Sequence, residues 1–346
     1  MAEAATVPGL VVDTSFLGDV LCVEPLVRRL AEQRSGAPLD VLTTPAAAPL
    51  LEGNPAVREV LRFDKRGADR GLRGLLRTSR RLRARGYGAV WCTHRSWRTA
   101  VLLALARIPE RVGFDDASGA WLYTRRVPYR KDLHEVERNL LFAGGGAWER
   151  PRVFPTAEER ARAAELAPAG PFVALAPGSV WATKRWPREH WQELAARLVG
   201  AGLGLALVGA PDEAEDCAAV AAAARRAAPE AVVADLAGRT SLRESHALLE
   251  RAACVVANDS LPMHLGVAAG APVVALYCST VPEFGFAPRG PRDLFLGVDG
   301  LDCRPCGIHG HRACPRGHFR CGWELTPDRV AAAVLERAAP EPMGAT

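Results

Sequence analysis

Lysine is nearly absent. Of 44 Lys plus Arg residues only Lys65, Lys131 and Lys184 are lysine, so a strong bias towards arginine has still left a compact ammonium at three positions. Long apolar runs are lacking too. None approaches the 18 residues that a membrane-spanning helix requires, and Met1 to Leu10 lacks the basic start and long apolar core of a signal peptide. A cytoplasmic location is therefore expected, where the nine cysteines are reduced thiols or metal ligands. The formal charge of +5 is modest. No nucleic-acid recognition module accompanies it, so nucleic acid is not an expected partner.

What is present is an alternation. The chain has 346 residues and 49% hydrophobic composition, ample for a core and long enough for two domains. Phe172 to Ala176 is a continuous apolar run closed by Pro177-Gly178, the pattern of a buried parallel strand. From Pro187 onward Trp191, Leu194, Ala195, Leu198 and Val199 recur on one helical face until Gly200. Ligands in open α/β sheets sit outside the carboxyl ends of the strands, which places Gly178, Ser179, Thr183 and Lys184 where one would be held. Gly178 admits close backbone approach, Ser179 and Thr183 offer hydroxyls, and Lys184 offers a charge suited to phosphate oxygens. An isolated loop lysine is more often simply solvated; its neighbours favour the ligand.

The first half repeats the unit. Leu10 to Val12 predicts a strand, followed by a polar loop from Asp13 to Asp19 and a helix with Val23, Leu26, Val27, Leu30 and Ala31 on its apolar face. Asp19 then stands at a helix N-terminus, where a carboxylate commonly serves only as a cap or dipole partner. Further strands are expected at Val41 to Thr43, Val60 to Phe63 and Ala89 to Cys92, with a helix near Ala46 to Leu51. The strand at 89–92 ends in a polar cluster, His94-Arg95-Ser96. The stretch from Arg62 to Arg85 contains ten basic residues, both ends included, against Asp64 and Asp69, with Leu72, Leu75, Leu76 and Leu82 as an apolar stripe. Such a helix is either a solvated face packed on the sheet or a contact for anionic lipid headgroups. Composition shifts to Pro, Glu, Arg and Ala near 150–170, the expected linker between domains at 1–155 and 170–335.

In the second half, strands are expected at Leu203 to Val208, Val232 to Leu236, Cys254 to Ala257 and Val273 to Tyr277, the last closing the series. Gly209 to Glu213 forms a loop before an Ala-rich helix. Ser241 to Arg251 reads as a helix. Asn258-Asp259-Ser260-Leu261-Pro262-Met263-His264 turns into a helix with proline near its first position. Free N–H groups there make an anion site, beside Asp259 and His264; an N-cap and a core histidine are the plainer alternative.

Four stretches in this order, SFLGDVLCVEP at 15–25, PGSVWATKRWP at 177–187, GAPDE at 209–213 and NDSLPMHLGVAAGAPVVALY at 258–277, resemble glycosyltransferase family 9, the heptosyltransferases of lipopolysaccharide inner-core assembly. The resemblance spans nearly the whole chain. It implies an α/β protein of the GT-B fold, two Rossmann-like domains with parallel sheets facing across a cleft, acceptor on the first and nucleotide sugar on the second. It implies an inverting transferase that moves heptose from ADP-heptose to a lipid A–Kdo core acceptor, the second heptose above all, at the anionic cytoplasmic face of the inner membrane and without a catalytic cofactor. Asp19 matches the general base and Lys184 the diphosphate-contacting lysine. Ser260, Glu213, Asp259 and His264 match donor-binding positions, with Gly178, Ser179 and Thr183 beside them. Ser15, Gly18, His94, Arg95 and Ser96 are expected on the acceptor side. A transferase of the same family with another nucleotide sugar or core position, and a silent sugar-nucleotide-binding protein, are the alternatives.

Two departures stand out. Asp13 replaces a usual basic residue, putting a second carboxylate near Asp19 with the power to raise its pKa, and Leu261 replaces a common glycine beside the phosphates. Separately, Cys303, Cys306, Cys314 and Cys321 are spaced like a tetrahedral structural zinc site, with free thiols or a regulatory disulfide as alternatives. Cys22, Cys92, Cys217, Cys254 and Cys278 lie in apolar runs and read as core filler.

Overall fold

The computed structural model describes residues 7–339. The chain divides into two compact units, Met1–Phe154 and Pro155–Thr346. Each carries a six-stranded, all-parallel sheet among the described residues. In the first the strands are β1 (Gly9–Val12), β2 (Leu39–Thr43), β3 (Glu59–Arg62), β4 (Ala89–Cys92), β5 (Glu110–Phe114) and β6 (Arg125–Val127), in the order β3-β2-β1-β4-β5-β6. The second has β7 (Phe172–Ala176), β8 (Gly204–Leu207), β9 (Val233–Asp235), β10 (Cys254–Asn258), β11 (Val273–Tyr277) and β12 (Leu294–Gly297), in the order β12-β11-β10-β7-β8-β9. Both orders are the doubly wound Rossmann arrangement, so the α/β, GT-B fold class holds.

The central strands form for the reason read from sequence. β1, β4, β7 and β11 are continuous apolar runs and β10 is one as far as Ala257, all buried along their whole length because helices cover both faces of a parallel sheet. Sheet order reverses between β1 and β4 in one unit and between β7 and β10 in the other. A crevice at the carboxyl edge follows at each reversal.

Several local expectations change. The helix expected across 19–31 is two, Leu17–Cys22 and Glu24–Gln33, broken at Val23, with Pro25 in the first turn of the second. Ala48–Leu50 is one 3-10 turn rather than a helix over 46–51. The basic stretch folds as Gly71–Ala84, but only Leu75 and Leu82 of its leucine stripe are buried; Leu72 and Leu76 are exposed, and Gly74, Thr78 and Ser79 complete the packed face. The series does not close at β11, since β12 adds an edge. Segment 150–170 contains the helix Ala157–Leu166, capped by the Thr156 hydroxyl on the Glu159 N–H and packed on Leu242–Leu249 in the second unit. Arg243 Nε to Glu159 Oε1, 2.9 Å, joins the two helices.

Candidate functional site

At the β1–β4 reversal the loop after β1 folds back on itself. Asp13 is buried, with its Oδ1 accepting from the Ser15 N–H (2.8 Å) and the Ser15 hydroxyl, and its Oδ2 from the Thr93 hydroxyl (2.6 Å). Asp19 is the third residue of Leu17–Cys22, and its Oδ2 accepts from the Phe16 N–H at 3.3 Å. The capping alternative is thus real, but weak at that length. Burial, then the charges of Asp13 and Glu135, push the Asp19 carboxyl up to about 7. Departure at position 13 therefore has the effect expected of it, as the second cause rather than the first. Glu135, itself pushed up by burial, is held by Arg138 at 2.5 Å.

Of the residues expected near an acceptor, Ser15 is committed to Asp13 and Gly18 lies in the first helical turn. His94 Nδ1 sits 2.9 Å from both the Thr14 and Thr99 hydroxyls, and burial lowers its proton affinity against the pull of Asp13. Arg95 pairs with Asp116 at 2.5 Å and lies over the Tyr129 ring, 4.0 Å from its centroid. Ser96 precedes the helix Trp97–Leu105 without a side-chain capping bond. Lys65 Nζ donates to the Thr14 carbonyl at 2.6 Å, a partner that sequence spacing did not suggest.

At the β7–β10 reversal the turn Ala182–Lys184 is held from several sides. Asn258, at the end of β10, donates to the carbonyls of Pro177 (2.8 Å) and Gly178 (3.1 Å) and accepts from the Trp186 N–H (3.0 Å), fastening both ends of the loop. Trp186 is buried and donates through Nε1 to the Leu325 carbonyl at 2.8 Å. Lys184 Nζ meets Asp259 Oδ2 at 2.6 Å, and the same oxygen accepts from the Thr280 hydroxyl at 2.7 Å. Thr183 is buried, its hydroxyl 3.0 Å from that of Ser279. Ser179 is buried, and its carbonyl accepts from Arg185 Nε at 2.7 Å.

Ser260 precedes the helix Leu261–Ala269 but does not cap it; its hydroxyl turns back to the Asn258 and Gly178 carbonyls at 3.4 and 3.5 Å. An N-cap is thus not the role of this motif; Pro262 carries no N–H and the Met263 N–H donates to the Ser260 carbonyl at 3.1 Å, which leaves the Leu261 N–H at the helix start. His264, one turn in, has its proton affinity lowered to about 4 by burial, with Lys184 acting the same way and Asp259 against it. Glu213 accepts from the Ala210 N–H at 2.9 Å, and burial raises its carboxyl. Its carboxylate packs so closely on Gly178 that any Cβ there would collide with it. The close approach expected of that glycine is made by a side chain of the same unit. Lys184, Thr183, Asp259, Ser260 and His264 are thus gathered at one strand edge, with Gly178 and Glu213 paired alongside. Sequence reasoning missed Asn258, Ser279 and Thr280 as supports; the burial of polar residues within otherwise apolar strand ends was the available signal.

The cysteines divide. Cys22, Cys92, Cys217, Cys254 and Cys278 are buried as expected of core filler. The tetrathiolate expected from Cys303, Cys306, Cys314 and Cys321 is not assembled. Among the described residues no group of three or more His, Cys, Asp or Glu side chains is arranged to hold a metal ion. Cys321 is buried in the second unit's core, Cys306 Sγ donates to the Cys303 carbonyl at 3.2 Å, and Cys303 Sγ lies 3.9 Å from His318 Nε2. The Cys314 thiol meets the backbone of residues 316–319 instead.

A raised carboxyl lies at one Rossmann-like crevice and a lysine beside a helix start at another, chemistry of the kind that transfer from a phosphorylated donor uses. The sequence profile of glycosyltransferase family 9 (heptosyltransferase) matches residues 75–313, more than half of the chain. The chain belongs to that family and is a glycosyltransferase. It is 27% identical over 292 residues to lipopolysaccharide heptosyltransferase 2 of Salmonella typhimurium, covering 80% of this chain and 84% of the relative. With lipopolysaccharide heptosyltransferase 1 of Pseudomonas aeruginosa it shares 29% over 311 residues, 86% and 85% of the two chains. The fold is shared with a family 9 glycosyltransferase of Veillonella parvula (TM-score 0.83, 21% identity, 97% and 98% covered) and with E. coli ADP-heptose heptosyltransferase II (TM-score 0.78, 24% identity, 96% and 100% covered).

Proposed function

We propose that this protein transfers heptose, with inversion, from ADP-heptose to the inner core of lipopolysaccharide, the second heptose being the position favoured. Support comes chiefly from one observation: Lys184 is held against Asp259 at 2.6 Å beside an uncapped helix start. An arriving diphosphate would find a point charge and the Leu261 N–H at the helix start already in place, which stabilises both the bound donor and the departing ADP. No divalent metal is needed for that role. Asp19 takes the proton of the acceptor hydroxyl, its proton affinity matched to neutral pH by burial and Asp13. Glu213 holds the ribose, while Asp259, Ser260 and His264 line the donor with Gly178, Ser179 and Thr183. Ser15, Gly18, His94, Arg95 and Ser96 belong to the acceptor side.

The acceptor is a lipid, and the helix Gly71–Ala84 suits its surface. Leu72 and Leu76 are exposed there beside Arg73, Arg80 and Arg83, an arrangement that favours peripheral docking on anionic lipid at the cytoplasmic face. The test is mass spectrometry of products from ADP-heptose with lipid A–Kdo acceptors that carry no heptose or one. Extension of the one-heptose acceptor supports the second-heptose reading; extension of the bare acceptor alone moves the reaction to the first position. No extension of either, with ADP-heptose intact, would refute the reading.

A further inference from the structure

The chain after β12 crosses back over the carboxyl edge of the second sheet. Arg304 fastens its root, donating through Nε to the carbonyls of Cys278 (2.8 Å) and Thr280 (3.1 Å), through Nη1 to Val298 (2.8 Å) and through Nη2 to Tyr277 (3.1 Å). The Cys306 N–H donates to the Ser279 carbonyl at 3.0 Å. Further along, the strap is stitched to the turn that bears Lys184: the Thr183 N–H donates to the His311 carbonyl (3.1 Å), and the His311 N–H donates to the Thr183 hydroxyl oxygen (2.7 Å). His311 Nε2 and the Cys306 carbonyl, 2.7 Å apart, tie the two attachment points together.

Between them lie His309 and Gly310. Gly310 has φ +79°, and a Cβ there would sit 3.0 Å from Thr183 Oγ1 and 3.1 Å from both Lys184 Cγ and Ser279 Oγ. Only glycine lets the strap lie this close to Lys184. The closeness carries His309 to the rim of the same crevice. Its ring is exposed, stacked at 17° on Trp181 with centroids 6.4 Å apart, and its charge state responds to Lys184 and Asp259. The cysteine-bearing segment, which the proposed reaction does not otherwise use, thus frames the donor crevice with a second cation-forming group.

We propose that His309 is a donor-binding residue, its imidazole donating a hydrogen bond to the diphosphate of the nucleotide donor beside Lys184, and that residues 304–311 hold it there. This rests on the donor reading given above. The neutral ring has one N–H to offer and the protonated ring two, with a full charge. Partial desolvation against Trp181 and the strap, and then Lys184, lower its proton affinity, with Asp259 opposing; a bound diphosphate reverses that balance and favours the imidazolium. Binding therefore takes up a proton, and affinity for ADP rises as pH falls from about 8 to about 6. Lys184 and Asp259 are charges that act on the ring, and they act on His264 as well, whose proton affinity, lowered to about 4, keeps it neutral over the range that matters.

The experiment is calorimetric titration of the full chain with ADP and with adenosine at about pH 6 and about pH 8. His309→Ala is expected to weaken ADP about tenfold at the lower pH, to leave adenosine unchanged and to leave only the pH dependence contributed by the terminal phosphate of ADP, whose own second ionisation falls at about pH 6. His309→Gln keeps a hydrogen-bond donor, so it recovers part of the affinity at the higher pH but none of the imidazole's share of the pH dependence. Unfolding temperatures of both variants should equal that of the parent, the ring being exposed. ADP affinity of His309→Ala within about twofold of the parent, or equal weakening of ADP and adenosine, would overturn the assignment. Lys184→Ala, run alongside, separates the two readings. If it weakens ADP while His309→Ala does not, only the role of His309 falls; if neither does, or the parent binds no ADP, the donor site itself is misplaced.

Discussion

Lys184 and Thr280 share one oxygen. Asp259 Oδ2 lies 2.6 Å from the ammonium and accepts the threonine hydroxyl at 2.7 Å, so the carboxylate is fixed by a group on the neighbouring strand end before the lysine reaches it. A lysine held this way keeps its long stem ordered, and less rotamer freedom remains to be lost when a ligand arrives.

Lys184→Ala is therefore expected to damage both donor affinity and turnover, because the charge meets the diphosphate before and during departure. Lys184→Arg should rescue affinity better than rate, since a planar fork cannot occupy the point position against Asp259. Steady-state kinetics with varied ADP-heptose distinguish the two. Unaltered kinetics in Lys184→Ala would remove the lysine from the donor site.

Asp19→Asn keeps the shape of the side chain but cannot take a proton. Turnover should fall by roughly two to four powers of ten, while the KM for ADP-heptose should barely move. Near-normal turnover would shift the base to Asp13, the adjacent carboxylate at the same crevice.

The pH profile gives an independent reading of the same group. With the carboxyl pushed up to about 7, kcat/KM should rise with pH below that value and level off above it, because the base must be ionised. Asp13→Asn removes one of the raising charges, so the midpoint should move down. Stability runs the other way. A folded pKa above the unfolded value of 3.8 contributes stability that is full below about 4 and is lost as pH rises through about 7. Asp19→Asn should accordingly raise the unfolding free energy near pH 8 by ~2–4 kcal/mol and change it little near pH 4; denaturant titrations at both values check the sign.

Gly178→Ala tests the pairing with Glu213. The added methyl group must displace the carboxylate that packs on it, so the KM for ADP-heptose should rise to about the level of Glu213→Ala, and the double variant should be little worse than either single one. Independent, multiplying effects would show that the two residues act separately.

Liposome sedimentation tests the basic helix. Arg77 is already paired with Asp69, and Arg81 with the Arg62 carbonyl, so charge reversal at the exposed Arg73, Arg80 and Arg83 is the cleaner probe. Binding to anionic vesicles should weaken by about 1 kcal/mol per residue changed, most visibly at low salt. Equal binding by parent and triple variant would end the membrane role of this helix.

The two parallel sheets are legible in the order of residues alone. Continuous apolar runs such as Phe172 to Ala176 and Val273 to Tyr277 are buried on both faces whatever surrounds them, and polar residues at their carboxyl ends can go only to the crevice. Three strands were less legible. β5 and β6 open on the charged pairs Glu110-Arg111 and Arg125-Arg126, which leave too short an apolar run to read, and β12 is a four-residue run at the sheet edge; pairing with a neighbour makes them strands. Tertiary structure alone decided the partners. Asn258 closing the Lys184 loop, Thr280 on Asp259, and the strap bringing His311 to Thr183 all join residues distant in sequence through loops without periodicity. Periodicity reports which face a residue occupies. A hydrogen bond of 2.7 Å between residues 183 and 311 depends instead on where two loops come to rest, which the packing beneath them fixes.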